Sequence, residues 1–281
     1  MADRLWIGGS SGVWTLAANW SPATVPVAAD DVYITGGSAN IDSIDQNTIA
    51  LGRLVVGTGY SGSIGSGGAL HIDAASLDYS GQGSTANFKG TYTTVTVQDT
   101  STSETALKLD GSSDTIATVR ILGGKGTVTL AADCEITGTI EQIGASGVTT
   151  IVSNGITLTT VDVLCDSGKL QLNEPPTNLT VFGGDVDALL DTGTITAVDI
   201  YGGRLRWSPT AACTITTLTV YSGTFDSRNS STPQFTVTNA TVHEAGIIDE
   251  RSGLANASWA SPVQMEGGRL MFDIGRTVTL A

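Results

Sequence analysis

The sequence predicts an all-β fold: a single right-handed parallel β-helix of about 20 residues per coil, opened by a Trp/Gly-rich cap. Three observations predict it. First, one phrase recurs from residue 119 onward: an apolar-x-apolar strand, a short Gly turn, then a second apolar strand. VRILGGKGTVTL, VDVLCDSGKLQL, LTVFGGDVDALL, VDIYGGRLRW, LTVYSGTFDS, ATVHEAGIID and VQMEGGRLMF are copies, and IEQIGASGVTTI is a degenerate one. Second, the third residue of each phrase falls at Ile121, Gln142, Val163, Val181, Ile200, Val220, Val242 and Met265, in steps of 18 to 23 residues. Third, the chain is rich in Gly (35 residues), Thr and Ser, and only 14 % charged. That composition makes strands and turns, and no stretch shows a helical period.

The elements follow in chain order. Residues 1–49 read as a capping region, because LWIGGSSGVWTLAANW holds three of the five tryptophans within sixteen residues. An open solenoid end exposes unpaired backbone groups and bare core, so Trp6, Trp14 and Trp20 are expected to cover the first coil. The neighbouring glycines let the chain double back closely. Pro26 marks a turn before the strand DVYI.

Residues 50–281 read as one continuous solenoid, less regular over 50–115. LGRLVVG, ALHIDA, SLDY, TVTVQ and ALKLDG supply its early strands. A third apolar piece, such as GITLTTV, TITAV, CTITTL or FTVTNA, precedes each later phrase and gives three strands per coil. Alternation turns Val161/Val163, Leu179/Val181, Val198/Ile200 and Leu218/Val220 inward. It places Arg120, Glu141, Asp162, Thr180, Asp199, Thr219, Thr241 and Gln264 in an outward column. Gln142 breaks the inward pattern and suggests a bulge. The sequence shows no hexapeptide period of the kind a left-handed β-helix needs, and the irregular step favours the right-handed form. The last strand, RTVTLA, carries Thr277, Val278 and Leu280, which are expected to form an open edge used in assembly.

The net charge of −14 excludes a broad nucleic-acid surface, because phosphate binding needs Lys and Arg. No apolar run is long enough for a membrane helix, and MADRLWIGG lacks the pattern of a secretory signal. Cys134, Cys165 and Cys213 are too few and too scattered for a disulfide framework or zinc site, and read as thiols in a reducing compartment.

Trp6-Ile7-Gly8-Gly9, Trp14, Asn19-Trp20, Pro26 and Asp30-Asp31-Val32-Tyr33-Ile34 resemble the start of several β-helical surface proteins. These include autotransporter-like passengers, adhesins and bacteriophage virion proteins. Leu51-Gly52-Arg53-Leu54-Val55-Val56, followed by Tyr60-Ser61-Gly62-Ser63-Ile64-Gly65, is most similar to the phage group. The resemblance covers the first 75 residues best and carries no catalytic residue across. It implies a capsid-associated component on the virion surface, assembled in the host cytoplasm. The implied partners are the major capsid protein or neighbouring virion subunits. Separately, the open edge of the last strand is expected to be covered by a partner chain or a symmetry mate, which gives a homo-oligomer, a trimer among the options.

Candidate chemistry is sparse. Gly8-Gly9-Ser10-Ser11-Gly12 matches the nucleophile-elbow expression but lacks the following helix. Asp162 and Asp199 lie two rungs apart, about 10 Å, near the upper edge of an inverting glycosidase pair. Thr180 lies between them, and outward polar residues are ordinary on any strand. Asp185 and Asp187, then Arg204 and Arg206, then Thr224 and Asp226 form a charge ladder that explains clustered arginine without a substrate. Asp30-Asp31 lack a calcium-loop context, and His71 and His243 read as ordinary polar surface. The expected function is therefore non-enzymatic, with no cofactor or metal: a structural virion protein of a tailed phage, decorating or cementing the capsid. The alternative is a glycan-binding adhesin or tail-fibre module using Tyr201, Trp207 and Tyr221. A polysaccharide-degrading enzyme is the third reading.

Overall fold

The computed structural model describes residues 1–8, 12–42, 44–65, 67–83, 85–98, 105–110, 115–124, 126–131, 134–144, 148–153, 155–156, 158–164, 168–228, 235–251, 257–272 and 279–280. Among them, the one helical element is a 3-10 turn at Ala17–Asn19; all other regular structure is β. Parallel strands stack as a β-solenoid of roughly 21 residues per coil. The chain divides into two compact units, Met1–Thr150 and Ile151–Ala281.

In the first unit the inward stack runs Val32, Leu54, Leu77, Val95, Val119, Ile140, each residue paired with the next. Beside it runs Ile34, Val56, Tyr79, Val97, Ile121, Gln142. A second column of shorter strands stacks Phe88 on Leu109 and Leu109 on Leu130. Gln142 faces inward, in register with Ile121, and is fully buried. The expected bulge at Gln142 is absent. The register shift lies earlier, between Ile136 and Thr139, so the amide sits in the core.

In the second unit the matching stack is Val161, Leu179, Val198, Leu218, Ala240. The shorter strands stack Leu170, Val186, Leu205, Phe225, Ile248 and Leu270. The expected third strand is not a separate element in these coils. Gly193–Ile200, Cys213–Val220 and Phe235–His243 each join the third apolar piece to the first. The burial pattern of Cys213–Val220 turns Thr216 and Thr217 outward in succession, which shifts the alternation by one residue. That shift is the corner of the coil, made inside one strand instead of by a turn.

The cap ends the parallel stack. Asp3–Trp6 pairs in parallel with Asp31–Ile34 on one side. On the other it pairs antiparallel with the two-residue strand Trp20–Ser21. The outermost edge is thus very short and is followed by Pro22, which has no N–H to offer. Trp6 and Trp14 each meet Trp20 edge to face, at 5.0 and 4.7 Å between centroids. All three rings are buried, and the Trp20 indole donates to the Trp14 carbonyl at 2.7 Å. A Cβ at Gly12 would overlap the Asn40 carbonyl oxygen, so only glycine fits that crossing. Asp30 ties the first strand down. It accepts from the Ala2 N–H at 3.0 Å and from the Arg4 guanidinium at 2.8 Å.

Near the other end, Gln264–Glu266 and Arg269–Met271 continue the two columns. Leu280 bridges to Val263 and is 58 % exposed. Thr277 and Val278 lie outside the described residues, as does Cys165.

Candidate functional site

The side chains that stand out chemically lie on the outer face of the second unit. The residue after each inward Val or Ile turns outward at the corner before the glycine turn. Successive coils place Phe182, Tyr201, Tyr221 and His243 there. Their N–H groups extend the ladder: Phe182 donates to Val163 at 2.7 Å, Tyr201 to Val181 at 2.8 Å and Tyr221 to Ile200 at 2.8 Å. The rungs lie about 4.8 Å apart, and the rings match that spacing. Phe182–Tyr201, Tyr201–Tyr221 and Tyr221–His243 have centroids 4.9, 4.3 and 4.6 Å apart and planes within 9°, 4° and 8° of parallel. Phe182 and Tyr201 are 47 % and 41 % exposed. Leu164, one rung before Phe182, is also exposed.

The stack ends on charge. His243 Nδ1 lies 2.8 Å from the Glu266 carboxylate of the next coil. The Tyr221 hydroxyl is pushed above the usual phenol range, first by its hydrogen bond with Tyr201, then by burial and the nearby charges of Tyr201, Asp199 and Glu266. Two residues before each ring, the expected outward column holds in register: Asp162 beside Thr180, Thr180 beside Asp199, Asp199 beside Thr219, Thr219 beside Thr241. No described Lys, Arg or His pairs with Asp162 or Asp199.

The shorter strands carry the expected charge ladder, with Asp185 opposite Arg204, then Thr224, and Asp187 opposite Arg206, then Asp226. Arg206 reaches Asp187 at 3.0 Å and Asp185 at 3.2 Å, and Lys169 reaches Asp187 at 2.7 Å. The ladder then sinks inward. Asp226, only 1 % exposed, is held by Arg204 and by Arg228 at 2.9 Å. Asp249 repeats this with Arg251 at 2.9 Å and Arg228 at 3.4 Å. Burial alone would raise the Asp226 pKa, but Arg228, Arg204 and the Arg228 N–H together hold it well below the usual carboxylate range. Arg251 lowers Asp249 in the same way.

Of the residues expected to contact glycan, Tyr201 and Tyr221 come together and Trp207 does not join them. Trp207 is fully buried and packs on Phe225 and Phe235, with centroids 6.0 and 5.9 Å away. In Arg204–Trp207 the alternation sends both arginines out and Leu205 and Trp207 in. His243 is part of the stack rather than ordinary surface. Phe182 and His243 escape a search for tyrosines, yet both hold the position just before the turn in FGG and HEA. The Asp-x-Arg repeat, Asp226-Ser227-Arg228 and Asp249-Glu250-Arg251, is equally visible once the coils are aligned. Cys134 and Cys213 are buried thiols, as expected of small core residues. Burial first, then Asp191, pushes the Cys213 thiol up to about 11, away from nucleophilic use. Asp30 is occupied by Arg4, Ala2 and Val27, which together outweigh its burial and lower its pKa.

Among the described residues, no group of three or more His, Cys, Asp or Glu is placed to hold a metal ion, and no helix is long and apolar enough to cross a membrane. Comparison with protein-family models, with curated proteins and with solved structures finds no match.

Proposed function

We propose that this protein is a non-enzymatic structural component of a tailed-phage virion, decorating or cementing the capsid exterior beside the major capsid protein. One observation carries the reading: the charged side chains are used to join coil to coil. Arg53–Asp78, Arg120–Glu141, Lys169–Asp187 and Arg206–Asp185 each link side chains about one coil apart. With the parallel backbone ladder, this builds a stiff element suited to bracing other subunits. The resemblance of the first 75 residues to phage virion proteins and the acidic composition support the same reading.

Quantitative mass spectrometry of purified particles from the source of this gene tests it. Tens to hundreds of copies per particle support a decoration or cement role. A few copies move the protein to the tail, and absence from particles removes the reading. The exposed aromatic stack favours a glycan-binding module as the second reading. It now rests on Tyr201 and Tyr221 without Trp207. Sugars pack on ring faces, and the inner faces of this stack are turned onto each other.

A further inference from the structure

We infer that the outer face of the second unit is a ligand groove for an elongated, cationic molecule with a flat apolar body. One wall is Leu164, Phe182, Tyr201, Tyr221 and His243. The other is the column two residues earlier: Asp162, Thr180, Asp199, Thr219 and Thr241. Two residues along a strand set the walls about 6.6 Å apart, and five rungs give a length of about 19 Å.

The chemistry of the walls selects the occupant. Stacking closes the inner ring faces, so the wall presents a continuous row of ring edges along the coil direction. A flat body lying lengthwise covers several edges at once, whereas a compact ligand covers one. The opposite wall holds Asp162 and Asp199 without cationic partners among the described residues, while the acids of the neighbouring shorter strands are paired. Neither wall carries Lys or Arg. Two uncompensated carboxylates beside an apolar row complement a cation and repel an anion. The same charge disfavours a second copy of this acidic chain on the groove. This assignment is independent of where the protein resides.

Titration of the full chain with thioflavin T, a rod-shaped cationic aromatic dye, tests the groove, with anilinonaphthalene sulfonate as the anionic control. The expected result is saturable thioflavin fluorescence that added salt weakens, with no matching response to the anionic dye. The double variant Asp162→Asn/Asp199→Asn keeps every ring and should raise the Kd roughly tenfold. Tyr201→Ser/Tyr221→Ser should abolish binding while circular dichroism confirms the fold. If that variant unfolds, the Asn pair remains decisive. Absence of saturable binding, equal binding of the anionic dye, or a Kd unchanged by the Asn pair overturns the proposal.

Discussion

Asp226 is nearly buried and yet ionised, because four guanidinium donors from two arginines and one backbone N–H surround it. Its folded pKa lies below the ordinary aspartate value, so its contribution to stability is complete above about pH 4. It is lost as the pH falls through the lower folded value. Asp226→Asn leaves Arg204 without its anion and Arg228 with only its longer contact to Asp249, and should cost about 3 kcal/mol at pH 7. Urea unfolding at pH 7 and below pH 4 checks this; the gap between wild type and variant should shrink in acid. Gln142 presents the opposite case. Its amide oxygen and nitrogen are buried with no hydrogen-bond partner among the described residues. Gln142→Met keeps the volume and removes the unsatisfied groups, and should raise stability by about 1–2 kcal/mol in the same assay.

At the scale of elements, the cap and the corners set the tolerances. Trp20 sits between two other indoles and donates to the Trp14 carbonyl. Trp20→Ala should therefore cost about 3–5 kcal/mol, read as a lower thermal midpoint. The turns between long and short strands stack as closely as the strands do. Gly203 has φ +68°, and a Cβ there would overlap the Gly184 carbonyl oxygen one coil away. Gly203→Ala should cost about 1–3 kcal/mol through that overlap and its backbone conformation. The outward row of Phe182, Tyr201, Tyr221 and His243 is likewise a property of elements. Each ring is placed by the rung beneath it, so the row exists only while the register holds.

At the scale of the molecule, each coil gains its stability mainly from the coils on either side. Damage should consequently spread along the stack from its origin. Hydrogen exchange on Trp20→Ala should rise first in residues 3–6, which pair with Trp20, and 31–34, the next strand, before it rises in residues 115–121. Uniform loss of protection would indicate one cooperative unfolding event instead.

The sequence by itself determined the all-β class, the coil length, the inward and outward columns and the buried tryptophan start. These are legible because alternation and glycine punctuation are local and survive without knowledge of neighbours. Trp207, expected as a glycan contact beside Arg206, is turned inward by the alternation of Arg204–Trp207. Tertiary structure decided what depends on residues about 20 positions apart. It merged the third strand with the first, since a corner needs only two successive outward residues. It joined His243 and Phe182 to the tyrosines and brought to Asp226 and Asp249, beside the arginine two residues after each, a second arginine from the preceding coil. Among the described residues it left Asp162 and Asp199 without cationic partners, because Thr180 and Thr219 occupy rungs beside them. Each outcome is set by which side chain arrives on the next rung, and that depends on loop lengths accumulated around a whole coil.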